Sequence, residues 1–156
     1  MTTKIKVFIL FIILFSACKR EEIRCDIIKE EKGLSCDTIR LLANEAPMVS
    51  PLVALDSTIE MSFTGLTGFR HNGNIVYPGG TLKVIDENGE VIFKLDDVFI
   101  DYDETGVSKD LVYKNISMFL EVGSPMKPGC SYTWENTIWD KRANRKIIGK
   151  TKITVE

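Results

Sequence analysis

Few side chains in this sequence are equipped for covalent chemistry. The sole histidine is His71, beside Arg70 in a stretch punctuated by Gly65, Gly68 and Gly73. Nucleophilic catalysis needs a nucleophile, a base and a group that orients the base. One imidazole with no spacing cue builds no such triple, so His71 reads as a surface residue. The cysteines are Cys18, Cys25, Cys36 and Cys130. Their spacing matches no zinc knuckle, and His71 is remote from each of them in sequence. Cys25 and Cys36 share a polar, charged segment. A disulfide between them would close a small loop and contribute about 2–3 kcal/mol in the chain-entropy model; two free thiols are the alternative. Cys130 follows Pro128-Gly129 and reads as a small hydrophobe.

The charged residues offer two further constellations. Asp101-x-Asp103-x-x-Gly106 has the opening rhythm of a calcium loop. Thr105 stands where a third acid is needed and Val112 where a bidentate Glu belongs, which excludes an EF-hand. An irregular calcium site would draw on Asp101, Asp103, Glu104 or Asp110. The plainer expectation is a solvated acidic loop, with no cofactor implied. Lys141, Arg142, Arg145, Lys146, Lys150 and Lys152 crowd one short stretch. On a hairpin alternate members project to one side, where they suit anionic glycan, lipid head groups or an acidic partner. A hairpin charged to resist strand-to-strand aggregation explains the same residues. Trp139, Lys141, Arg142 and Arg145 are therefore the candidate ligand surface, with Trp139 the aromatic best placed to stack on a sugar. Trp134 is assigned to the core. Carboxylate separations are not legible in a sequence, so a hydrolase is disfavoured rather than excluded.

The chain has 20 basic and 22 acidic residues among 156, a net charge of −2. No large basic excess exists to meet phosphates, so nucleic acid is not an expected partner. Residues 1–17 read as an address. Lys4 and Lys6 precede the apolar run Val7 to Phe15. At about 1.5 Å per residue that run is too short to cross a ~30 Å hydrocarbon core, and it fits the h-region of a signal peptide. Phe15-Ser16-Ala17-Cys18 follows, and resembles the lipobox of bacterial lipoproteins, with Phe15 in place of the usual Leu. The resemblance implies cleavage before Cys18, lipidation of its thiol and attachment to a membrane. Lys19-Arg20-Glu21-Glu22 is similar to the charged tetrapeptide that sends some Bacteroidetes lipoproteins to the outer face of the outer membrane, though Arg20 interrupts the pattern. An envelope location, lipid-anchored to the outer membrane and open to surface exposure, is the expectation.

The elements that must position any site are strands. Residues 18–47 read as a charged tether, with Asp37 capping a short helix from Thr38 to Asn44. Pro47 and Pro51 then bracket the start of a domain over 48–156. Ile59, Met61 and Phe63 alternate with Glu60, Ser62 and Thr64, as in a half-buried strand. Leu82-Lys83-Val84 and Val91 to Leu95 flank Asp86-Glu87-Asn88-Gly89, where Asn-Gly predicts a tight hairpin. Ile116, Met118, Leu120 and Val122 repeat the alternation, followed by strands over Tyr132 to Trp139 and Ile147 to Val155. About seven short strands with turn signals and no long helical period predict an antiparallel sandwich.

Met126-Lys127-Pro128-Gly129-Cys130-Ser131-Tyr132 resembles the Leu-x-Pro-Gly-x-x-Tyr corner of fibronectin type III and related immunoglobulin-like domains. The resemblance covers residues 115–155 and makes Tyr132 the corner tyrosine, its hydroxyl bonded back to nearby backbone. Asn136 departs from the pattern, because alternation from Tyr132 and Trp134 points it into the core. A bulge would turn it out and bring Trp139 in. The processed chain is also similar to small β-sandwich lipoproteins of Bacteroidetes, most without known activity. The expected function is a non-enzymatic binding module that meets a protein or glycan through its loops. A structural or accessory subunit of a surface complex is the alternative, and a small envelope hydrolase a third.

Overall fold

The computed structural model describes residues 25–156. The expected leader over 1–17, the lipidation candidate Cys18 and the tetrapeptide after it lie outside the described residues. In chain order the strands are β1 (Ile27–Lys32), β2 (Thr38–Ala43), β3 (Ala46–Pro47), β4 (Leu52–Val53), β5 (Thr58–Thr64), β6 (His71–Asn72), β7 (Ile75–Val76), β8 (Pro78–Ile85), β9 (Val91–Leu95), β10 (Val107–Ser108), β11 (Asn115–Glu121), β12 (Ser131–Asp140) and β13 (Lys146–Val155). A 3-10 turn (Ile100–Tyr102) and a short helix α1 (Lys109–Lys114) lie between β9 and β11. The described residues are all-β, 55% strand and 7% helix, and form no closed barrel.

One sheet has the order β1-β13-β12-β8-β9, with β4 parallel to the end of β13; the other has the order β11-β5-β2-β3. A small third sheet, β10-β7-β6, is built from the segments between the longer strands. The run β9-β8-β12-β13 facing β11-β5 is the strand order of immunoglobulin-like sandwiches, whose C′, C, F and G strands face E and B. Strands exceed the seven expected, because the chain up to Pro47 is sheet as well and because β4, β6, β7 and β10 are two-residue strands between the longer ones.

That last point corrects the expected tether. Residues 27–32 form β1 and residues 38–43 form β2, where a charged tether and a helix were expected. In β2, Leu41 enters the core while Arg40 stays outside, an alternation of period two. In β1 the Lys29-Glu30-Glu31-Lys32 run lies on the outer strand of its sheet, where charge discourages further strand addition. A charged tether and a protected edge strand therefore have the same composition.

Cys25, Cys36 and Cys130 are free thiols, so the expected Cys25–Cys36 bridge is not formed. The Cys36 N–H donates to Glu31 Oε1 at 3.2 Å. Nearly all of β1 runs between Glu31 and Cys25, an extended span of roughly 20 Å, against a Cα separation of about 7 Å at most for a disulfide. Cys36 packs as a buried hydrophobe instead, and its thiol pKa is pushed up, chiefly by burial.

The core is drawn from the facing sides of both sheets. Along β12, Tyr132, Trp134, Asn136, Ile138 and Asp140 all point inward, alternating with half-buried outward residues. They meet Ile59, Met61 and Phe63 of β5, and Leu82 and Val84 of β8. Each such aliphatic or aromatic burial contributes about 1.5–3 kcal/mol. The register of β12 runs unbroken from Ser131 to Trp139, so no bulge turns Asn136 out. Asn136 is fully buried and its Oδ1 accepts the Trp134 indole N–H at 3.1 Å. Its Nδ2 finds no partner among the described residues, and the space over Gly149, opposite it on β13, is filled by Met61, Phe63 and Ile39. The β8–β9 hairpin forms, but only Gly89 has a positive φ (84°). The Asp86 carboxylate accepts the N–H groups of Asn88 (2.9 Å) and Glu90 (2.8 Å), making a longer, carboxylate-pinned turn. At the sandwich corner, Tyr132 Oη accepts the Lys127 N–H at 2.9 Å.

Two stability measurements check this packing. A Cβ at Gly149 would lie 2.9 Å from both Met61 Sδ and Phe63 Cζ, whereas one at Gly123 meets nothing within 4 Å. In urea titrations Gly149→Ala is expected to cost about 1–3 kcal/mol from overpacking, and Gly123→Ala close to nothing. Tyr132→Phe is expected to cost about 1 kcal/mol, the net worth of one hydrogen bond.

Candidate functional site

The inward alternation of β12 ends on a carboxylate. Asp140 is 3% exposed, at the last position of the strand opposite Pro78. A buried carboxylate needs donors, and two loops supply them. The Arg70 N–H donates to Asp140 Oδ2 at 2.5 Å, and the Arg142 N–H to Oδ1 at 2.8 Å. Hydrogen bonds to a charged acceptor contribute about 1.5–3 kcal/mol each. One buried side chain thus sets the positions of two arginine backbones that are far apart in sequence.

The surrounding bonds fix the rest. The Asp140 N–H donates to the Arg145 carbonyl at 2.9 Å, closing the β12–β13 turn. The Lys141 N–H donates to the Tyr77 carbonyl at 2.8 Å, laying the turn against the start of β8. The Arg142 guanidinium sits 4.3 Å from the centroid of the Tyr77 ring, a cation–π contact that holds its plane. Arg70, His71, Asn72, Tyr77 and Arg142 together line an open cavity of about 380 Å³. Among the described residues neither the Arg70 nor the Arg142 guanidinium meets a carboxylate.

The expected basic face does not exist as a unit. β13 lies between β1 and β12, so the β12–β13 hairpin is interior to its sheet and not an edge. Its cations are dispersed among separate partners. Lys150 Nζ pairs with Glu30 (2.9 Å) and Glu135 (3.4 Å), and Glu135 also pairs with Lys83, a ladder on the outer face of the large sheet. Arg145 Nη1 donates to the Gly68 carbonyl at 2.5 Å. Lys141 Nζ pairs with Asp97 at 2.6 Å and with Asp103, and donates to the Phe99 carbonyl at 3.2 Å. Of the expected ligand surface, only Arg142 lines the cavity.

Trp139 is half-buried on the outer face of β12, and its indole lies against Gly79, where any Cβ would overlap it. Much of that ring is used in packing rather than displayed for a sugar. The calcium candidates are also placed differently from a cation site. Asp101 belongs to the 3-10 turn, and Asp103 is held by the Lys141 ammonium. Among the described residues no three His, Cys, Asp or Glu side chains converge on a point. His71 lies in β6 at the cavity rim. Asp140, which organises the cavity, was missed because the strand was expected to end at Trp139; unbroken alternation carried one residue further puts it on the core side. The partnership of Arg70 with Arg142 carried no local sequence signal.

The Lys141–Asp97 pair gives a pH prediction. Burial raises the Asp97 pKa, but the Lys141 ammonium and the N–H groups of Phe99 and Gly80 outweigh it and hold the carboxyl below its ordinary value. A carboxyl depressed in the folded state adds stability above its unfolded pKa, about 3.9, and loses it as pH falls through the lower folded value. Urea midpoints measured from pH 6 to pH 2 are expected to fall along that acid limb, and less steeply in Asp97→Asn. Comparison with protein-family models returned no match, and neither did comparison with curated proteins.

Proposed function

We propose that this protein is a lipid-anchored envelope protein that works as a non-enzymatic binding module. The membrane attachment rests on the leader, with Lys4, Lys6, the apolar run and Phe15-Ser16-Ala17-Cys18 in the order that lipidation requires. The acyl chains on Cys18 would hold the sandwich at the bacterial outer membrane, its loops available to a protein or glycan.

One observation carries the binding reading. Arg70 and Arg142 line one cavity, their backbones are held by one buried carboxylate, and neither guanidinium meets a carboxylate among the described residues. Arginine has five donors and no acceptor, so a pair presented this way is suited to an external ligand. Recognition at loops on a rigid β-scaffold follows the same logic. A second reading, an accessory subunit that assembles through sheet edges, draws on the other side of the sandwich. There β9 and β11 are both outermost strands, and Phe93, Leu95 and Phe119 border a cavity of about 530 Å³.

Two experiments test these readings. Cys18→Ser is expected to move the protein from the membrane to the soluble fraction of fractionated cells; continued membrane association would remove the anchoring claim. The full chain in detergent is expected to capture a ligand on a glycan array or from envelope extract, with capture lost in Arg70→Gln/Arg142→Gln. Empty results in both formats would remove the binding module and leave the edge-assembly reading, which predicts concentration-dependent association in sedimentation.

A further inference from the structure

We infer that the Arg70–Arg142 cavity takes the carboxylate of an acidic sugar unit, a monoanion carried by a glycan. The inference rests on the binding-module reading and narrows its ligand. Charge comes first. Arg70 and Arg142 bring two positive charges to the cavity, and Asp140 beneath them brings one negative charge. Asp140 bonds to the Arg70 and Arg142 backbone N–H groups and to neither guanidinium, and its one charge offsets only one of their two. The remaining excess matches a single negative charge. A phosphate dianion carries one charge more than that excess.

Neighbouring cations do not alter this balance. Lys141 is paired with Asp97 and Asp103, and Arg145 is bonded to the Gly68 carbonyl. Geometry comes second. Tyr77 holds the Arg142 guanidinium by its face, which leaves the planar edge donors for a two-point bond to a carboxylate. Asn72 and His71 share the lining, and an amide and an imidazole can each bond to hydroxyl groups. Size comes third. The cavity, about 380 Å³, stands at the small end of ligand pockets, suited to a sugar unit rather than an extended macromolecular face.

The test is calorimetry on the full chain in detergent with a glucuronate-terminated disaccharide and its glucose-terminated counterpart. The acidic sugar is expected to bind, and the neutral one to bind about tenfold more weakly or worse. Arg70→Gln and Arg142→Gln are each expected to weaken the acidic sugar by about tenfold, while Lys152→Gln, at an exposed position on β13, leaves it unchanged. Circular dichroism confirms that each variant keeps its β spectrum. Equal binding of the neutral sugar would overturn the inference while leaving the binding module standing. So would tighter binding of inorganic phosphate, or of a polyglutamate peptide, at the same arginines. Failure of every one of these probes, alongside a ligand captured on the array or from extract, would likewise overturn the acidic-sugar assignment alone.

Discussion

The buried carboxylate of Asp140 is the constraint on which the functional end of this molecule depends. A charge on the core side of a strand is costly unless it is fully bonded. Here the donors are backbone N–H groups from two separate loops, so satisfying the charge also fixes the loops. The loop carrying Arg70 and the turn carrying Arg142 share no strand pairing with each other. Their common acceptor, together with the Arg145 bond to the Gly68 carbonyl, brings them to one cavity, with Tyr77 as the plate against which Arg142 is held.

The same economy appears along the whole of β12. Five alternating positions face inward, and two of them are polar. Asn136 is bonded through its Oδ1 to the indole of Trp134, with its Nδ2 unpaired among the described residues; Asp140 is accommodated by amides at the strand end. The sandwich thus buries an amide and a carboxylate in one strand, near the middle and at one end, alongside the buried hydroxyls of Ser62 on β5 and Thr151 on β13. Lys141 then secures the segment after β9 by meeting Asp97 and Asp103, so the outer surface beside the cavity is tied down as well. The basic residues that crowd the β12–β13 hairpin in sequence thereby serve different purposes in space.

Much of the fold was legible because alternation is a direct consequence of sheet geometry. Ile59, Met61 and Phe63, and Ile116, Met118, Leu120 and Val122, face the core as their spacing predicts. The turn at Asp86 to Gly89 was legible in place but not in kind, since Asp86 acts through its carboxylate and only Gly89 uses a positive φ. β1 was missed because a charged edge strand and a solvated tether share a composition, and only pairing with β13 separates them; β2 was expected as a helix after Asp37, and its pairing with β5 makes it a strand. The candidate site was half legible. Arg142 could be singled out from charge density, but Arg70 is brought to it across the fold by Asp140, a relation with no local pattern. Trp139 and Lys141 looked available because sequence does not show that Gly79 and two aspartates occupy them.

Amide hydrogen exchange in Asp140→Ala reads the central claim directly. If one carboxylate holds both loops, the Arg70 and Arg142 amides should together lose protection by about tenfold or more, while the amides of Trp134 and Ile153 in the core strands keep theirs. Unchanged protection at Arg70 and Arg142 would contradict the account, as would loss at one of them alone.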